Sequence, residues 1–166
     1  MSEALPNLPH PTNAEGAASA PTRIEEVMTR AVVTLSPEQS FQEAISLIAR
    51  HRFRHLLVVD TESRLAGVIS DRDLLRFMIR EPHWDSTPVA EVMRAHPITV
   101  RPETPLSTAI AEMLARQINC LPVVDGEGRV CGILTSTDLL RTFQQVQERF
   151  EHMSTKVPSP SGRGPG

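Results

Sequence analysis

The chain has 166 residues and a formal net charge of −3 at pH 7, with 40% hydrophobic but only 4% aromatic residues. This length fits one domain with an aliphatic core, and the charge gives no reason to expect nucleic acid or an anionic membrane as a partner. No apolar run approaches the ~18 residues of a membrane span, and two cysteines do not make a disulfide framework, so a reducing cytoplasm is the predicted compartment.

The two ends of the chain have the composition of disordered segments. Residues 1–21 contain four prolines and have neither the basic start nor the apolar stretch of a signal peptide. Residues 157–166 are rich in proline, serine and glycine. We therefore predict a disordered N-terminal arm at 1–21 and a disordered C-terminal tail at 152–166.

A repeat with an offset of 65 residues organises the chain between these ends. Residues 22–76 align without a gap on residues 87–141, and about 20 of the 55 paired positions are identical. The duplication predicts two copies of one supersecondary unit that bury their apolar faces against each other. We place repeat 1 at 22–80, a linker at 81–86 and repeat 2 at 87–151.

Each repeat is predicted to open with a short helical turn followed by an extended piece. The Thr22–Glu25 segment has the spacing of a capping box. Thr87–Pro88 combines an N-cap residue with a proline at the first helical position. The extended pieces are predicted at 32–35 and 98–100.

The middle of each repeat is predicted to be a helix followed by two strands. Apolar residues recur at helical spacing after Ser40, which starts a Ser-x-x-Glu capping box with Glu43, and after Thr104 in repeat 2. A polar four-residue turn joins the strands of each pair, which we place at 55–60 with 65–69 and at 120–125 with 130–134.

A last helix closes each repeat, at 70–79 in repeat 1 and at 135–151 in repeat 2. Each unit therefore has the order β-α-β-β-α, and the predicted fold class is α+β. Apolar residues recur along the longer helix, and this stripe either packs within the monomer or contacts a second copy. Its members are Leu139, Leu140, Phe143 and Val146.

The beginning of each last helix carries a hydroxyl residue three positions before an aspartate: Ser70 with Asp73, and Thr135 with Asp138. One interpretation is structural, because a Ser/Thr-x-x-acid motif caps a helix and satisfies its first backbone N–H groups. The other is functional, because such a turn can bind phosphate while the carboxylate accepts hydrogen bonds from ribose hydroxyls. A glycine three residues before each motif allows close backbone approach.

The order of these motifs resembles the cystathionine-β-synthase (CBS) domain, and two tandem copies resemble a Bateman module. The resemblance rests on Val-Met near the start of each repeat, on a strand that ends in Val-Val-Asp and on Gly-x-x-Ser/Thr-x-x-Asp. These pieces recur in order at one offset, and the two repeats that carry them span about 120 residues. They lie at 27–28, 55–60 and 67–73, then at 92–93, 121–125 and 132–138. The resemblance implies two repeats packed with pseudo-twofold symmetry.

The resemblance also implies that adenosine ligands bind in two clefts shared between the repeats. The better-matched cleft has hydroxyls at Thr135 and Thr137 before the carboxylate of Asp138. The other repeat is expected to complete this cleft with backbone and side chains at four positions: Thr29, Val33, Phe53 and Arg54.

The second cleft is built on Ser70, Arg72 and Asp73. Arg72 departs from the family pattern, and it either clamps a phosphate or is a solvated charge on the helix. Repeat 2 is expected to complete this cleft with four residues: His96, Ile98, Ile118 and Asn119.

Several of these residues have a structural alternative. Phe53 and Ile118 either flank an adenine or pack in the core at a helix end. The basic segment Arg52–His55 either meets phosphate charge or is a solvated turn. His51 and His55 have a spacing seen in metal ligands, but they straddle a helix end and a strand start, so no metal site is predicted.

The predicted function is a stand-alone, non-catalytic sensor that binds AMP, ADP or ATP between its repeats and signals to a regulated protein by conformational change. Family members commonly form homodimers, so a homodimer is expected, and the resemblance leaves open whether Mg²⁺ accompanies a polyphosphate. The alternatives are an S-adenosylmethionine or NAD binder, and a ligand-free interaction or dimerisation scaffold. No Ser-His-Asp arrangement, P-loop or Gly-x-Gly-x-x-Gly motif occurs in the sequence.

Overall fold

The computed structural model describes residues 19–51 and 53–154. Repeat 1 contains a first 3-10 turn (Ile24–Glu26), β1 (Thr34–Leu35), α1 (Phe41–His51), β2 (His55–Val59), β3 (Leu65–Ser70) and α2 (Asp71–Arg80). Repeat 2 contains a second 3-10 turn (Val89–Glu91), β4 (Arg94–Ala95), α3 (Leu106–Arg116), β5 (Cys120–Val124), β6 (Val130–Thr135) and α4 (Ser136–Ser154). Each repeat combines helices with an antiparallel strand pair in the order β-α-β-β-α, which confirms the α+β class.

Side-chain caps determine where three of the four helices begin. The N–H of Ser40 donates to Glu43 Oε2 at 2.8 Å and the N–H of Glu43 donates to Ser40 Oγ at 3.3 Å, which confirms the capping box predicted for α1. Reciprocal bonds of the same kind join Ser70 to Asp73 at α2, and Thr135 to its aspartate at α4. Both helices therefore begin one residue later than predicted, because the hydroxyl residue precedes the first helical residue.

The openings of the repeats differ from the prediction. The prediction of a capping box at Thr22–Glu25 is wrong. The N–H of Thr22 donates to Glu26 Oε2 at 3.0 Å, and the first 3-10 turn has no side-chain cap. Pro88, predicted as the first helical residue, is the N-cap, since its ψ of 141° is still extended. The piece predicted at 98–100 forms one parallel bridge to β5 instead of a strand.

Strand pairing crosses between the repeats. β1, β2, β3 and β4 form one sheet in that order, and β5 and β6 form a second. β4 comes from repeat 2, yet it pairs with β3 of repeat 1, where Arg94 lies opposite Val68. The equivalent contact in the second sheet is a bridge between Thr29 of repeat 1 and Ile133. We call residues 28–29 and 93–95 the crossing segments.

The two 3-10 turns are exchanged between the repeats as well. The N–H of Ile24 donates to Thr104 O at 3.1 Å, and the equivalent N–H of Val89 donates to Gln39 O at 2.8 Å. Ile24 is fully buried in the core around α3, β5 and β6, whereas Val89 is fully buried in the core around α1 and β2. Each repeat therefore completes the hydrophobic core of the other, an exchange that the 65-residue offset alone does not reveal.

Reciprocal hydrogen bonds relate the repeats by a pseudo-twofold axis. The N–H of Leu65 donates to Gly128 O at 3.0 Å, and the N–H of Val130 donates to Ser63 O at 3.1 Å. An offset of 65 residues converts either bond into the other with the roles of the repeats reversed. The predicted pseudo-twofold packing is confirmed.

The ends of the described chain bear on the predicted tails. α4 continues to Ser154, so the first three residues of the tail predicted at 152–166 are helical. The extra helical turn follows from the residues themselves, because no proline or glycine occurs between Ser136 and Ser154. The remainder of that tail and residues 1–18 of the predicted arm lie outside the described residues.

Candidate functional site

A continuous cavity of about 780 Å³ lies between the two repeats. Its walls come from the beginnings of α2 and α4, from the crossing segments and from the loops that follow α1 and α3. All fourteen residues predicted for the two clefts line this cavity, so the clefts are two halves of a single space. The Asp138 half was predicted from Thr29, Val33, Phe53, Arg54, Thr135, Thr137 and Asp138, and the Asp73 half from Ser70, Arg72, Asp73, His96, Ile98, Ile118 and Asn119.

The carboxylate of Asp138 is buried at the beginning of α4 and has two sets of partners. Its Oδ2 accepts hydrogen bonds from the N–H of Thr135 at 2.8 Å and from the Thr135 hydroxyl at 2.6 Å. Its Oδ1 accepts a bond from the hydroxyl of Thr29 at 3.1 Å. Thr29 belongs to the other repeat, 109 residues away in sequence, so the fold joins two residues that the resemblance assigned to one cleft.

The carboxylate of Asp73 has the same arrangement with one change. Its Oδ2 accepts bonds from the N–H of Ser70 at 3.0 Å and from the Ser70 hydroxyl at 2.6 Å. Its Oδ1 accepts a charge-assisted bond from Arg94 Nη2 at 3.2 Å. Burial raises the pKa of Asp73, but the bonds from Ser70 and Arg94 together outweigh burial and leave this pKa below its ordinary value.

Arg94 was not among the predicted site residues, although the sequence contains a signal for it. Arg94 is 65 residues after Thr29, which was assigned to the Asp138 half, so the same offset assigns Arg94 to the Asp73 half. The predicted residues Val33 and Ile98 are related by this offset, but the equivalent of Thr29 was not included in the prediction. A guanidinium in the place of a hydroxyl changes the chemistry of that half.

The helix caps engage one oxygen of each carboxylate, and the opposite repeat engages the other. In both halves Oδ2 is engaged by the residue that caps the helix, as the structural interpretation requires. In both halves Oδ1 is engaged by a residue of the opposite repeat, the Thr29 hydroxyl at Asp138 and the Arg94 guanidinium at Asp73. The capping and ligand-binding interpretations are therefore compatible in this fold.

Two glycines allow the crossing segments to reach the carboxylates. A Cβ atom on Gly132 would lie 2.7 Å from the carbonyl oxygen of Thr29, and one on Gly67 would lie 2.8 Å from that of Arg94. The close backbone approach expected at these glycines is present, and its partner is the backbone of the other repeat. The glycines thus position Thr29 and Arg94 over the two aspartates.

Phe53 and Ile118 form part of both the cavity and the cores. Phe53 packs against the core of repeat 1, and its ring stacks on His51 with centroids 5.2 Å apart and an interplanar angle of 12°. Ile118 packs against the core of repeat 2. Each side chain also lines the cavity, so the two interpretations of these residues are compatible as well.

Arg54 contacts the half of the cavity opposite to the one predicted. Its Nε atom lies 3.4 Å from Asp71 Oδ2, and its carbonyl oxygen accepts a bond from the N–H of Asp71 at 3.0 Å. Asp71 begins α2 in the same repeat, so this contact places Arg54 beside the Asp73 half. Arg52, the other arginine of the predicted basic segment, lies outside the described residues.

The charged side chains of the cavity favour an anionic ligand. Among the described residues that line it are four arginines, three histidines and three aspartates. Arg141, on α4, was not predicted from the sequence. Burial is the main cause that lowers the pKa of His55, so the neutral form of this imidazole is favoured. The four arginines carry the permanent positive charge that a phosphate would meet.

Metal-binding clusters and membrane-spanning helices are absent from the part of the chain that the structure describes. No group of three or more His, Cys, Asp or Glu side chains there has an arrangement that could hold a metal ion. His51 ends α1 and His55 begins β2, as the sequence predicted. Within residues 19–51 and 53–154, no helix has the length and apolar character of a membrane span.

Comparison with known proteins identifies the repeats. The family model described as the CBS domain matches residues 24–80 and 89–145. The chain belongs to the CBS domain family. The CBS domain-containing protein YhcV from Bacillus subtilis is 34% identical to this CBS pair over 116 residues, which cover 70% of this chain and 81% of YhcV.

Other curated relatives are longer enzymes. Inosine-5'-monophosphate dehydrogenase from Mycobacterium tuberculosis is 37% identical over 123 residues, which cover 74% of this chain and 22% of the enzyme. Homoserine O-acetyltransferase from Methanohalobium evestigatum is 27% identical over 124 residues, which cover 75% of this chain and 24% of the enzyme. The chain thus spans about a quarter of the length of these relatives.

Solved structures with the same fold contain adenosine compounds. CBSX2, a CBS-pair protein from Arabidopsis thaliana, was crystallised in complex with AMP. That complex has a TM-score of 0.70 and 29% identity, covering 76% of this chain and 99% of CBSX2. The CBS domain pair of protein MJ0100, in complex with 5'-methylthioadenosine and S-adenosyl-L-methionine, has a TM-score of 0.69 and 27% identity, covering 75% of this chain and 98% of that pair.

Proposed function

We propose that this CBS pair is a regulatory module that binds an adenine nucleotide (AMP, ADP or ATP) in the cavity between its repeats. The observation that carries the proposal is the contact between Thr29 and Asp138, because it leaves a buried carboxylate oxygen, Oδ1, in reach of a ribose. A ribose hydroxyl can take the place of the Thr29 hydroxyl, which exchanges one hydrogen bond for another of the same kind. Helix α4 is 19 residues long, and the positive end of its dipole, at its N-terminus, can attract a phosphate group.

Three further observations support an adenine nucleotide. The cavity volume of about 780 Å³ lies within the range of small-molecule sites. Arginines from both repeats line the walls, including Arg54, Arg72, Arg94 and Arg141. The AMP of CBSX2, and the two ligands of MJ0100, share an adenosine unit. A ligand with both a ribose and phosphates matches these features better than the sulfonium compound S-adenosylmethionine or the larger NAD.

The proposed mechanism is a ligand-dependent change in how the repeats are arranged. A nucleotide in the cavity touches both repeats, so it stabilises the arrangement for which it has the higher affinity. The outer surface then differs between the free and bound states, and a regulated protein can distinguish them. We propose that the module acts in the cytoplasm and has no catalysis of its own.

Nucleotide binding is expected to raise the melting temperature, because a ligand that binds only the folded state stabilises it. Thermal unfolding should be followed with AMP, ADP, ATP, NAD and S-adenosylmethionine, each with and without MgCl₂ to show whether a polyphosphate carries Mg²⁺. Asp138→Asn keeps an oxygen for the helix cap but removes the charge, and we expect it to weaken binding at least ~10-fold.

Asp125→Asn is the matched control, because Asp125 caps a hairpin turn through bonds to the N–H groups of Glu127 and Arg129. It should leave the affinity unchanged. If none of the five ligands shifts the melting temperature of the unaltered protein, the ligand-free scaffold becomes the better account.

We further propose that the module forms a homodimer through α2 and α4. Leu75 and Leu140 occupy equivalent positions on these helices and are 60% and 68% exposed. Ile79 and Phe143 lie beside them and are exposed as well. The stripe predicted on α4 is divided, since Leu139 packs against the core of repeat 2 and Leu140 does not. A second copy would cover these exposed side chains on both helices.

The double variant Leu75→Glu with Leu140→Glu is expected to be monomeric in light scattering coupled to size-exclusion chromatography, because four charges would face one another in the dimer. Leu114→Glu on α3 is the control, since Leu114 is 73% exposed but lies on another helix. A monomeric unaltered protein at micromolar concentration, or a double variant that stays dimeric, contradicts this interface.

A further inference from the structure

The two halves of the cavity differ at one pair of equivalent positions, residues 29 and 94. We propose that Arg94 closes the Asp73 half to ribose, so that the protein binds a single nucleotide per chain, in the Asp138 half. This inference rests on the proposed function, and it adds a stoichiometry and the residue that determines it.

The backbone holds residues 29 and 94 in matching places. Arg94 is paired with Val68 across β3 and β4, and Thr29 is bridged to Ile133 in the same way. A glycine beneath each crossing segment allows a similar close approach, as described above. The difference between the halves therefore comes from the side chains and not from the course of the chain.

The two side chains present different barriers to a ribose. The Thr29 hydroxyl is a neutral donor, so a ribose hydroxyl can replace it at Asp138 without separating charges. Arg94, whose side chain is 59% exposed, forms an ion pair with Asp73, whose side chain is 14% exposed. A ribose at Asp73 would exchange a charge-assisted bond for a weaker neutral one. The displaced guanidinium would lose its carboxylate partner and would still occupy part of the cavity, because Arg94 lines its wall.

The beginning of α2 is also less suited to phosphate than the beginning of α4. Asp71 is the first residue of α2, and its equivalent on α4 is Ser136. α2 therefore has two carboxylates in its first turn, from Asp71 and Asp73, whereas α4 has one, from Asp138. Negative side chains already occupy the positive end of the α2 dipole. Arg54, whose Nε lies 3.4 Å from Asp71 Oδ2, offsets part of this negative charge, so the exchange at positions 29 and 94 is the main difference between the halves.

Isothermal titration calorimetry with AMP can test the inference by stoichiometry. The unaltered protein is expected to bind about one AMP per chain, with any second site several-fold weaker. Arg94→Thr, which copies the residue at position 29, is expected to raise the stoichiometry to about two. Thr29→Arg, the reverse exchange, is expected to abolish binding in the Asp138 half.

Two more variants separate the charge of Arg94 from its shape. Arg94→Lys keeps the positive charge beside Asp73, and the stoichiometry should stay at about one. Arg94→Gln removes the charge and should give the result of Arg94→Thr, so either neutral variant serves if the other unfolds. Thermal unfolding identifies which variants are folded before they are titrated.

Each result either supports or overturns the inference. Two equal sites in the unaltered protein overturn it while the proposed function stands, whereas the absence of any AMP, ADP or ATP binding removes the proposed function itself. A stoichiometry that stays at one in both neutral variants also overturns it. If affinity falls in those variants with one site remaining, Arg94 is a phosphate ligand and not a barrier.

Discussion

An Ile24→Ala variant is expected to lose about 2–5 kcal/mol in the free energy of unfolding, and the loss should loosen repeat 2 although Ile24 belongs to repeat 1 by sequence. Ile24 is fully buried beside Leu106, Ala109 and Leu121, so its truncation leaves a cavity in the core of repeat 2. Urea unfolding measures the total loss, and hydrogen exchange locates it. Amide protection should fall in α3 and β5 before it falls in α1.

The equivalent substitution in repeat 2, at Val89, tests the exchange in the opposite direction. Val89→Ala should lower the protection of α1 and β2, because Val89 is buried with Phe41 and Leu56. Leu114→Ala, at an exposed position of α3, should change stability by no more than ~0.5 kcal/mol. If Ile24→Ala mainly loosens repeat 1, the turns are not exchanged and the fold described above is wrong in this respect.

A Gly132→Ala variant is expected to destabilise the protein by about 1–3 kcal/mol, and Gly67→Ala by a similar amount. The added Cβ would meet a backbone oxygen at 2.7 Å in one case and 2.8 Å in the other, and the backbone cannot give way as a flexible side chain can. The crossing segment must then lift away from the sheet. In Gly132→Ala this movement also shifts Thr29 away from Asp138, so we expect weaker nucleotide binding.

Gly126→Ala is the matched control for the glycine substitutions. A Cβ at Gly126 would have its nearest neighbour at 3.5 Å, the terminal nitrogen of Arg101, which is an ordinary contact on a flexible side chain. Its melting temperature should stay close to that of the unaltered protein. Equal melting temperatures for all three variants would show that the crossing segments have room to move.

Local sequence signals predicted the elements of each repeat well. The strands at 55–59 and 120–124 begin at the predicted residues and end one residue earlier than predicted. They end there because the apolar runs stop at Asp60 and Asp125. The Oδ1 atom of each of these aspartates accepts two backbone bonds within its hairpin turn, as expected of turn residues. Such signals act over a few residues, which is why they can be read in order along the chain.

Predictions that depended on partners far along the chain were less complete. β4 was not predicted, because Arg94 and Ala95 have no strand pattern of their own and become extended only by pairing with β3. Arg54 was assigned to the Asp138 half, but an ion pair with Asp71 holds it beside α2. In both cases the deciding interaction joins residues whose proximity no local pattern encodes.

The sequence by itself determined the duplication, the order of elements in each repeat, the two capped aspartates and the family resemblance that brought the candidate site residues together. Only the tertiary structure decided that the repeats exchange their opening turns, that the two clefts share one cavity, and that Thr29 and Arg94 meet equivalent aspartates. The physical reason is that an internal repeat specifies each unit twice but does not specify which unit a crossing segment will pack against. That choice depends on long-range burial of Ile24 and Val89 and on close contacts at Gly67 and Gly132, which exist only once the two repeats have come together.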